Sequence, residues 1–241
     1  MTDPEEPLRA DIVARCRELD AAGLNRGASG NVSARLGDAM LITPSAVPAA
    51  HLEPAMIARM PLAGGGDMAG GDDRAGGGDM AGGGDADCTW DGPMKPSSEW
   101  RFHRDLLRAR PDLGAIVHTH APYATILAIA RRPIPAVHYM IAAFGGPDIR
   151  CAGYATYGTA ELSAAVVAAM QGRNGCLMAN HGMLVAGPNL TRATWLAHEL
   201  EALAHQHYHA LLIGGGHLLT DAQIAETAVG FAGYGVDVRD G

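Results

Sequence analysis

The sequence predicts an α/β protein of three layers, with a central mixed, mostly antiparallel sheet held between helices. Three observations lead there. Short apolar runs and amphipathic helical stretches follow one another without strict βαβ alternation, which argues against a doubly wound parallel sheet. Two pairs of apolar runs are joined closely enough to pair as antiparallel strands, residues 31–35 with 40–44 and residues 176–179 with 183–186. Neither a G-x-G-x-x-G turn after a strand nor a P-loop occurs, so the usual nucleotide-binding parallel sheets have no sequence signal.

The elements can be justified in order. Leu8 to Ala22 carries Ile12, Val13, Cys16 and Leu19 at helical spacing, and Gly23 is placed to end the helix. Asn25 to Arg35 is a turn of small residues leading into a strand, with Met40-Leu41-Ile42-Thr43-Pro44 as its hairpin partner. Ile57 to Leu62 and Cys88-Thr89-Trp90 read as strands of a second hairpin. Between them, residues 63–87 are a low-complexity insertion in which Gly-Gly-Gly-Asp-Met-Ala-Gly occurs twice. The copies are too few to stack as a repeat fold, so the segment reads as a flexible, swollen hairpin tip within a single domain spanning 1–241.

A helix follows Pro96-Ser97-Ser98-Glu99 and stops before Pro111, which cannot continue it. Ile116-Val117-His118-Thr119-His120 reads as a strand end, and Pro122 to Ala130 as a helix with proline in its first turn. Val137 to Ile141 reads as extended. Thr159 to Met170 is an alanine-rich helix, Thr191 to Ile213 the longest helix, and a short helix starts at Asp221.

Composition narrows the function. With 241 residues and 48 % hydrophobic residues, the chain can bury a substantial core. A formal charge of -8 argues against a nucleic-acid or anionic-membrane partner, while local backbone N–H groups or a metal could still hold a small phosphorylated molecule. Cys16, Cys88, Cys151 and Cys176 are scattered without a C-x-x-C pair and read as reduced thiols of a cytoplasmic protein. The acidic, proline-broken start is no signal peptide, and no apolar run reaches membrane-spanning length.

The chemistry centres on three histidines. Residues two apart on a strand share a face, so His118 and His120 can point at one spot. Cys176 to Ala179 delivers His181 close behind, just before Gly182. Three neutral imidazoles from two strand ends fit a catalytic zinc site that keeps one position open. A His-X-His pair by itself is more often a pair of buried histidines, and the surrounding residues decide between the two readings. Taken alone, Glu99 is a glutamate favoured at a helix start and Ser98 a helix cap. The histidines at 198, 205, 207 and 209 lack a partner motif rich in carboxylates and read as surface or interface residues.

A long string of segments carries a family likeness: Gly30-Asn31-Val32-Ser33, Leu41 to Ser45, Pro96-Ser97-Ser98-Glu99-Trp100-Arg101-Phe102-His103, Val117 to His120, Ile134 to Ile141, Tyr154 to Thr159, Asn180-His181-Gly182 and Trp195 to Glu199. In these segments, and in their order, the chain resembles the class II aldolase/adducin superfamily, most nearly its fuculose-phosphate aldolase subgroup. Only the glycine-rich insertion falls clearly outside the likeness.

The resemblance implies that His118, His120 and His181 bind one zinc ion per subunit, with manganese or cobalt as possible substitutes. It implies that Glu99 is the acid/base, and a fourth zinc ligand when substrate is absent. It implies that Ser29, Asn31, Ser45, Ser97 and Ser98 hold a phosphate. Tyr139 resembles a tyrosine that reaches a neighbouring subunit's substrate, Tyr157 one that contacts the aldehyde portion, and Tyr234 one that closes over the site. A homotetramer with active sites at its subunit boundaries is implied as well. Ala46 stands where the family usually has glycine, a departure that bears on the phosphate loop.

The activity so implied is reversible cleavage of a ketose 1-phosphate, such as L-fuculose 1-phosphate or a related 5-deoxy-pentulose 1-phosphate, into dihydroxyacetone phosphate and an aldehyde. A pentulose-5-phosphate 4-epimerase would need a further acidic residue after His138, where the chain has Tyr139-Met140-Ile141-Ala142-Ala143. A methylthioribulose-phosphate dehydratase is a further alternative within the superfamily. A non-enzymatic adducin-like interaction module would lack the metal histidines that this chain keeps.

Overall fold

A computed structural model describes residues 4–63 and 88–231. The Gly/Asp repeats and Tyr234 lie outside the described residues.

Helix α1 (Glu5–Ala21) buries Ile12, Val13, Cys16 and Leu19, the residues whose spacing predicts it. It ends in a Schellman turn: Gly23 takes φ +75°, its N–H meets the Asp20 carbonyl, and the Leu24 N–H reaches back to the Leu19 carbonyl. Strands β1 (Asn31–Leu36) and β2 (Ala39–Ile42) form the expected hairpin, and β3 (Ala58–Pro61) pairs with β2. After α2 (Trp100–Ala109) come β4 (Ala115–Thr119), α3 (Pro122–Ile129), β5 (Arg150–Ala152), α4 (Ala160–Ala169), β6 (Gly175–Met178), β7 (Gly182–Gly187), α5 (Leu190–Leu212) and α6 (Asp221–Phe231).

The seven strands make one sheet in the order β3-β2-β1-β4-β7-β6-β5. Neighbours are antiparallel except β5 and β6, which are parallel. Two apolar cores lie on its two faces. Residues of α1, α3 and α5 pack with Ala115 and Val117 of β4 on one face. Residues of α2 and α4 pack with Ile116 on the other. The three layers are those the sequence predicts. Because β4 alternates, His118 follows Ile116 to the α2 face.

Two local expectations are corrected. Residues 137–141 are not extended: Tyr139–Phe144 is a 3₁₀ helix, capped by the His138 imidazole, whose Nδ1 accepts from the Met140 N–H at 3.2 Å. The helix buries Met140, Ile141, Ala142, Ala143 and Phe144 together, whereas an alternating strand would turn every second residue outward. Residues 88–90 form no strand either. The segment makes one bridge, between Arg59 and Asp91, before Gly92 at φ +135° and Pro93, which has no N–H, end the pairing. All four cysteines are free. Among the described residues no helix is long and apolar enough to cross a membrane.

Helix α5 is the longest element and packs along β4 and β7, which carry or flank the three histidines. Its first turn is capped by Asn189, whose side-chain oxygen accepts from the Arg192 N–H at 2.8 Å. Asn189→Ala should lower stability by about 1 kcal/mol in urea denaturation, the usual cost of a lost cap. A change below about 0.3 kcal/mol would show that the cap contributes little.

Candidate active site

The antiparallel pairing of β4 with β7 brings the three histidines together. His118 lies in β4, His120 just past its end, and His181 immediately before β7. Their ring centroids are 4.9 to 5.0 Å apart. One nitrogen from each lies within 4.8 Å of the others. The His118 Nδ1 sits 2.8 Å from the Met183 carbonyl, which can only accept, so Nδ1 carries the hydrogen and Nε2 keeps a free lone pair. That Nε2 is buried and makes no hydrogen bond. A buried imidazole nitrogen without a partner, facing two more imidazoles, is the donor set a divalent cation fits. Burial, followed by the charges of His118 and His181, pushes His120 down to about 4, so its ring is neutral as a metal ligand requires.

Several unrelated segments hold these histidines in place. The His120 N–H donates to Asn25 Oδ1 at 3.3 Å. The α3 helix that follows is capped from α5, where both Glu201 carboxylate oxygens accept, at 2.8 Å each, from the N–H groups of Tyr123 and Ala124. At the other ligand, Asn180 takes φ +54°, a left-handed conformation that asparagine tolerates, and its side-chain oxygen accepts from Arg131 at 3.0 Å. Asn25, Asn180, Arg131 and Glu201 were not singled out by sequence reasoning. The only local signal was the Asn-His-Gly turn itself.

Glu99 stands at the start of α2, nearly buried, with Oε1 3.1 Å from His181 Nε2 and Oε2 3.3 Å from His118 Nε2. Burial works to raise its carboxyl, but His118 and His181 facing it outweigh burial and hold it well below the usual carboxylate range. Oε2 also accepts from the Asn31 amide at 2.9 Å. The same amide nitrogen reaches Ser97 Oγ at 3.0 Å, and the Asn31 oxygen lies 2.5 Å from His103 Nε2. Both N–H groups and the oxygen of the Asn31 side chain thus meet protein groups, whereas the resemblance implies a phosphate role for this residue. The Ser97 hydroxyl, rather than that of Ser98, takes the Glu99 N–H, at 3.3 Å.

Beside these groups lies a cavity of about 530 Å³, walled by His120, His181 and Glu99 on one side and by Ser29, Asn31, Ser45, Ser97 and Ser98 on another. The two serine loops are tied together. The Ser97 N–H bonds to the Thr43 carbonyl at 2.9 Å, and the Ser45 N–H to the Lys95 carbonyl at 3.0 Å. Tyr154, Thr156 and Tyr157 complete the wall, with Tyr157 67 % exposed. Among the described residues no lysine or arginine lines it. Tyr139 is not brought to this cavity. It lies half-exposed by Phe231, ring centroids 6.4 Å apart, on a separate apolar face. Among the described residues the histidines at 198, 205, 207 and 209 form no three-ligand cluster.

The model of the Class II Aldolase and Adducin N-terminal domain family matches residues 10–208. The chain belongs to this family. It is 45 % identical over 228 residues to the 5-methylthioribulose-1-phosphate/5-deoxyribulose-1-phosphate aldolase of Rhodospirillum rubrum, covering 95 % of this chain and 92 % of the relative. It is 40 % identical over 234 residues to an L-fuculose phosphate aldolase of Escherichia coli, covering 97 % and 98 %. A solved L-fuculose 1-phosphate aldolase superposes with a TM-score of 0.82 at 32 % identity, covering 96 % of this chain and 98 % of that one. The chain is thus a class II aldolase, an aldehyde-lyase by reaction class.

In this class II aldolase Ala46 sits in the cavity wall at φ +59°, where the Cβ of an L-residue is strained. Ala46→Gly should raise stability by up to about 1 kcal/mol, since relief of the left-handed strain exceeds the extra freedom of glycine in the unfolded chain. Matched urea titrations would check this. A loss of stability would show that the Ala46 methyl packs more favourably than its backbone is strained.

Proposed function

We propose that this aldolase reversibly cleaves a ketose 1-phosphate into dihydroxyacetone phosphate and an aldehyde, using zinc held by His118, His120 and His181. The observation that carries the reading is the single cavity onto which imidazoles, a buried carboxylate and a row of hydroxyls converge. When bound, the ion supplies Lewis acidity to the ketone end of the substrate. In cleavage, the electron pair of the C3–C4 bond stays with the dihydroxyacetone phosphate half while the hydroxyl on C4 loses its proton and becomes the aldehyde oxygen. Glu99 takes up the proton released from that hydroxyl and delivers it to C3, and in the reverse direction removes it from C3. The hydroxyls of Ser29, Ser45, Ser97 and Ser98 and the N–H groups at the α2 start bind phosphate. Asn31 shapes this end by fixing Ser97 and Glu99.

Two substrates divide the reading. The 45 % identity to an aldolase named for 5-methylthioribulose 1-phosphate and 5-deoxyribulose 1-phosphate favours a 5-deoxy-pentulose 1-phosphate. L-Fuculose 1-phosphate is the second reading, on the 40 % relative. Dihydroxyacetone phosphate release from both substrates should give the higher kcat/KM with the 5-deoxy-pentulose, and activity should vanish in chelator and return with zinc. Full activity in chelator, with no metal found by elemental analysis, would sink the metal mechanism. Glu99→Gln should retain the metal and abolish exchange of the carbon-bound proton of dihydroxyacetone phosphate. Normal exchange would remove Glu99 from the acid/base role.

The separate position of Tyr139 supports a homotetramer in which this ring serves a neighbour's cavity. Tyr139→Phe and Glu99→Gln proteins, each inactive, should regain activity when dissociated and reassembled together, because some sites then carry both native groups. A fully active monomer in light scattering would overturn the shared site.

A further inference from the structure

We propose that His103 is a positioning residue: through Asn31 it fixes which end of an amide meets Glu99, and so the orientation in which the carboxylate is held. This rests on Glu99 being the acid/base. His103 lies in α2, wholly buried, and lines neither the cavity nor the three-histidine cluster. Its Nδ1 is 2.7 Å from Ser33 Oγ and its Nε2 2.5 Å from Asn31 Oδ1. Its ring stacks on Phe102 at 4.8 Å and 25°, which holds the imidazole plane.

Charge sets the direction of every bond in this chain. An ionised carboxylate only accepts, so the Asn31 group 2.9 Å from Glu99 Oε2 must be the NH₂. The Asn31 oxygen then faces His103, and His103 Nε2 must carry the hydrogen. Its Nδ1 is left as an acceptor, and the Ser33 hydroxyl donates to it. The other tautomer would make His103 Nε2 an acceptor that needs a donor, turn the amide over, and set its carbonyl oxygen against the carboxylate. Burial first, and the charge of His118 second, push His103 down to about 3 against the opposing pull of Glu99, so the ring is neutral.

The consequence lies in the two oxygens of Glu99. Oε2 is held by the Asn31 amide at 2.9 Å, while Oε1 faces His181 Nε2 at 3.1 Å. The amide thus sets the plane in which the carboxylate meets the cavity. A Glu99 carboxylate free to rotate would lose this orientation and with it the alignment that proton transfer needs.

The test compares His103→Leu, His103→Gln and Glu99→Gln with the native zinc-loaded protein. Glutamine can place an N–H donor near the position of the lost Nε2, whereas leucine cannot. His103→Leu should slow exchange of the carbon-bound proton of dihydroxyacetone phosphate by about 10–100-fold, the usual effect of losing an orienting partner, with metal content and KM held. His103→Gln should recover most of that rate. Unchanged exchange in His103→Leu, with exchange lost in Glu99→Gln, would overturn the inference and leave the acid/base assignment standing. Normal exchange in Glu99→Gln would instead overturn that assignment. Should the leucine variant fail to fold, ¹⁵N NMR of the native protein decides: the signal missing from His103→Gln should show hydrogen on Nε2, and hydrogen on Nδ1 overturns the inference.

Discussion

The antiparallel register of β4 between β1 and β7 is the constraint on which the site depends. It sets His118 opposite Asn31 on one side and opposite Leu184 on the other, with Thr119 opposite Met183. The first pairing puts the amide that holds Glu99 beside the strand that supplies His118. The second lets the Met183 carbonyl fix the His118 ring and brings His181 to the end of β4. A slip of one residue would turn His118 toward the opposite core. The register itself needs Gly182, because a Cβ there would lie 2.5 Å from the Thr119 carbonyl and 2.9 Å from the His120 ring.

Periodicity made part of this legible and left part of it hidden. Alternation along a strand is local, so the shared face of His118 and His120 could be read directly, as could the apolar stripe of α1 and its glycine stop. The pairing of the runs flanking His181 followed from their spacing alone. The 3₁₀ helix at Tyr139 was missed because an apolar run of five residues does not reveal its own period, and the cap that decides it is a histidine, an uncommon capping residue. Asn25, Asn180 and Glu201 escaped for a different reason. Each acts by hydrogen bonds to a segment distant in sequence, 95 residues away for Asn25 and His120. Periodicity reports which face is buried, not which polar group meets which.

Asn31 shows the two kinds of information in conflict. As part of Gly30-Asn31-Val32-Ser33 it lines the cavity, which agrees with the phosphate role implied by resemblance. Its side chain, however, spends both N–H groups on Ser97 and Glu99 and its oxygen on His103. Composition and motif could place the residue at the site, but only the partners of each atom tell positioning from binding.

That no lysine or arginine among the described residues lines the cavity suits the acid/base role proposed for Glu99. A lysine or arginine beside the phosphate would bind it strongly, but would also stand within reach of a carboxylate that must take up a proton. An ion pair there would stabilise the charged form and weaken it as a base. Hydroxyls and backbone N–H groups bind a phosphate by direction rather than by net charge, and fall off steeply with distance. The positive charge that the reaction needs can then be confined to the three-histidine cluster, next to the carbon skeleton and away from the serine loops. On the proposed function, an acidic chain with a net charge of -8 can in this way take an anionic sugar phosphate with no lysine or arginine among the described residues of the cavity wall.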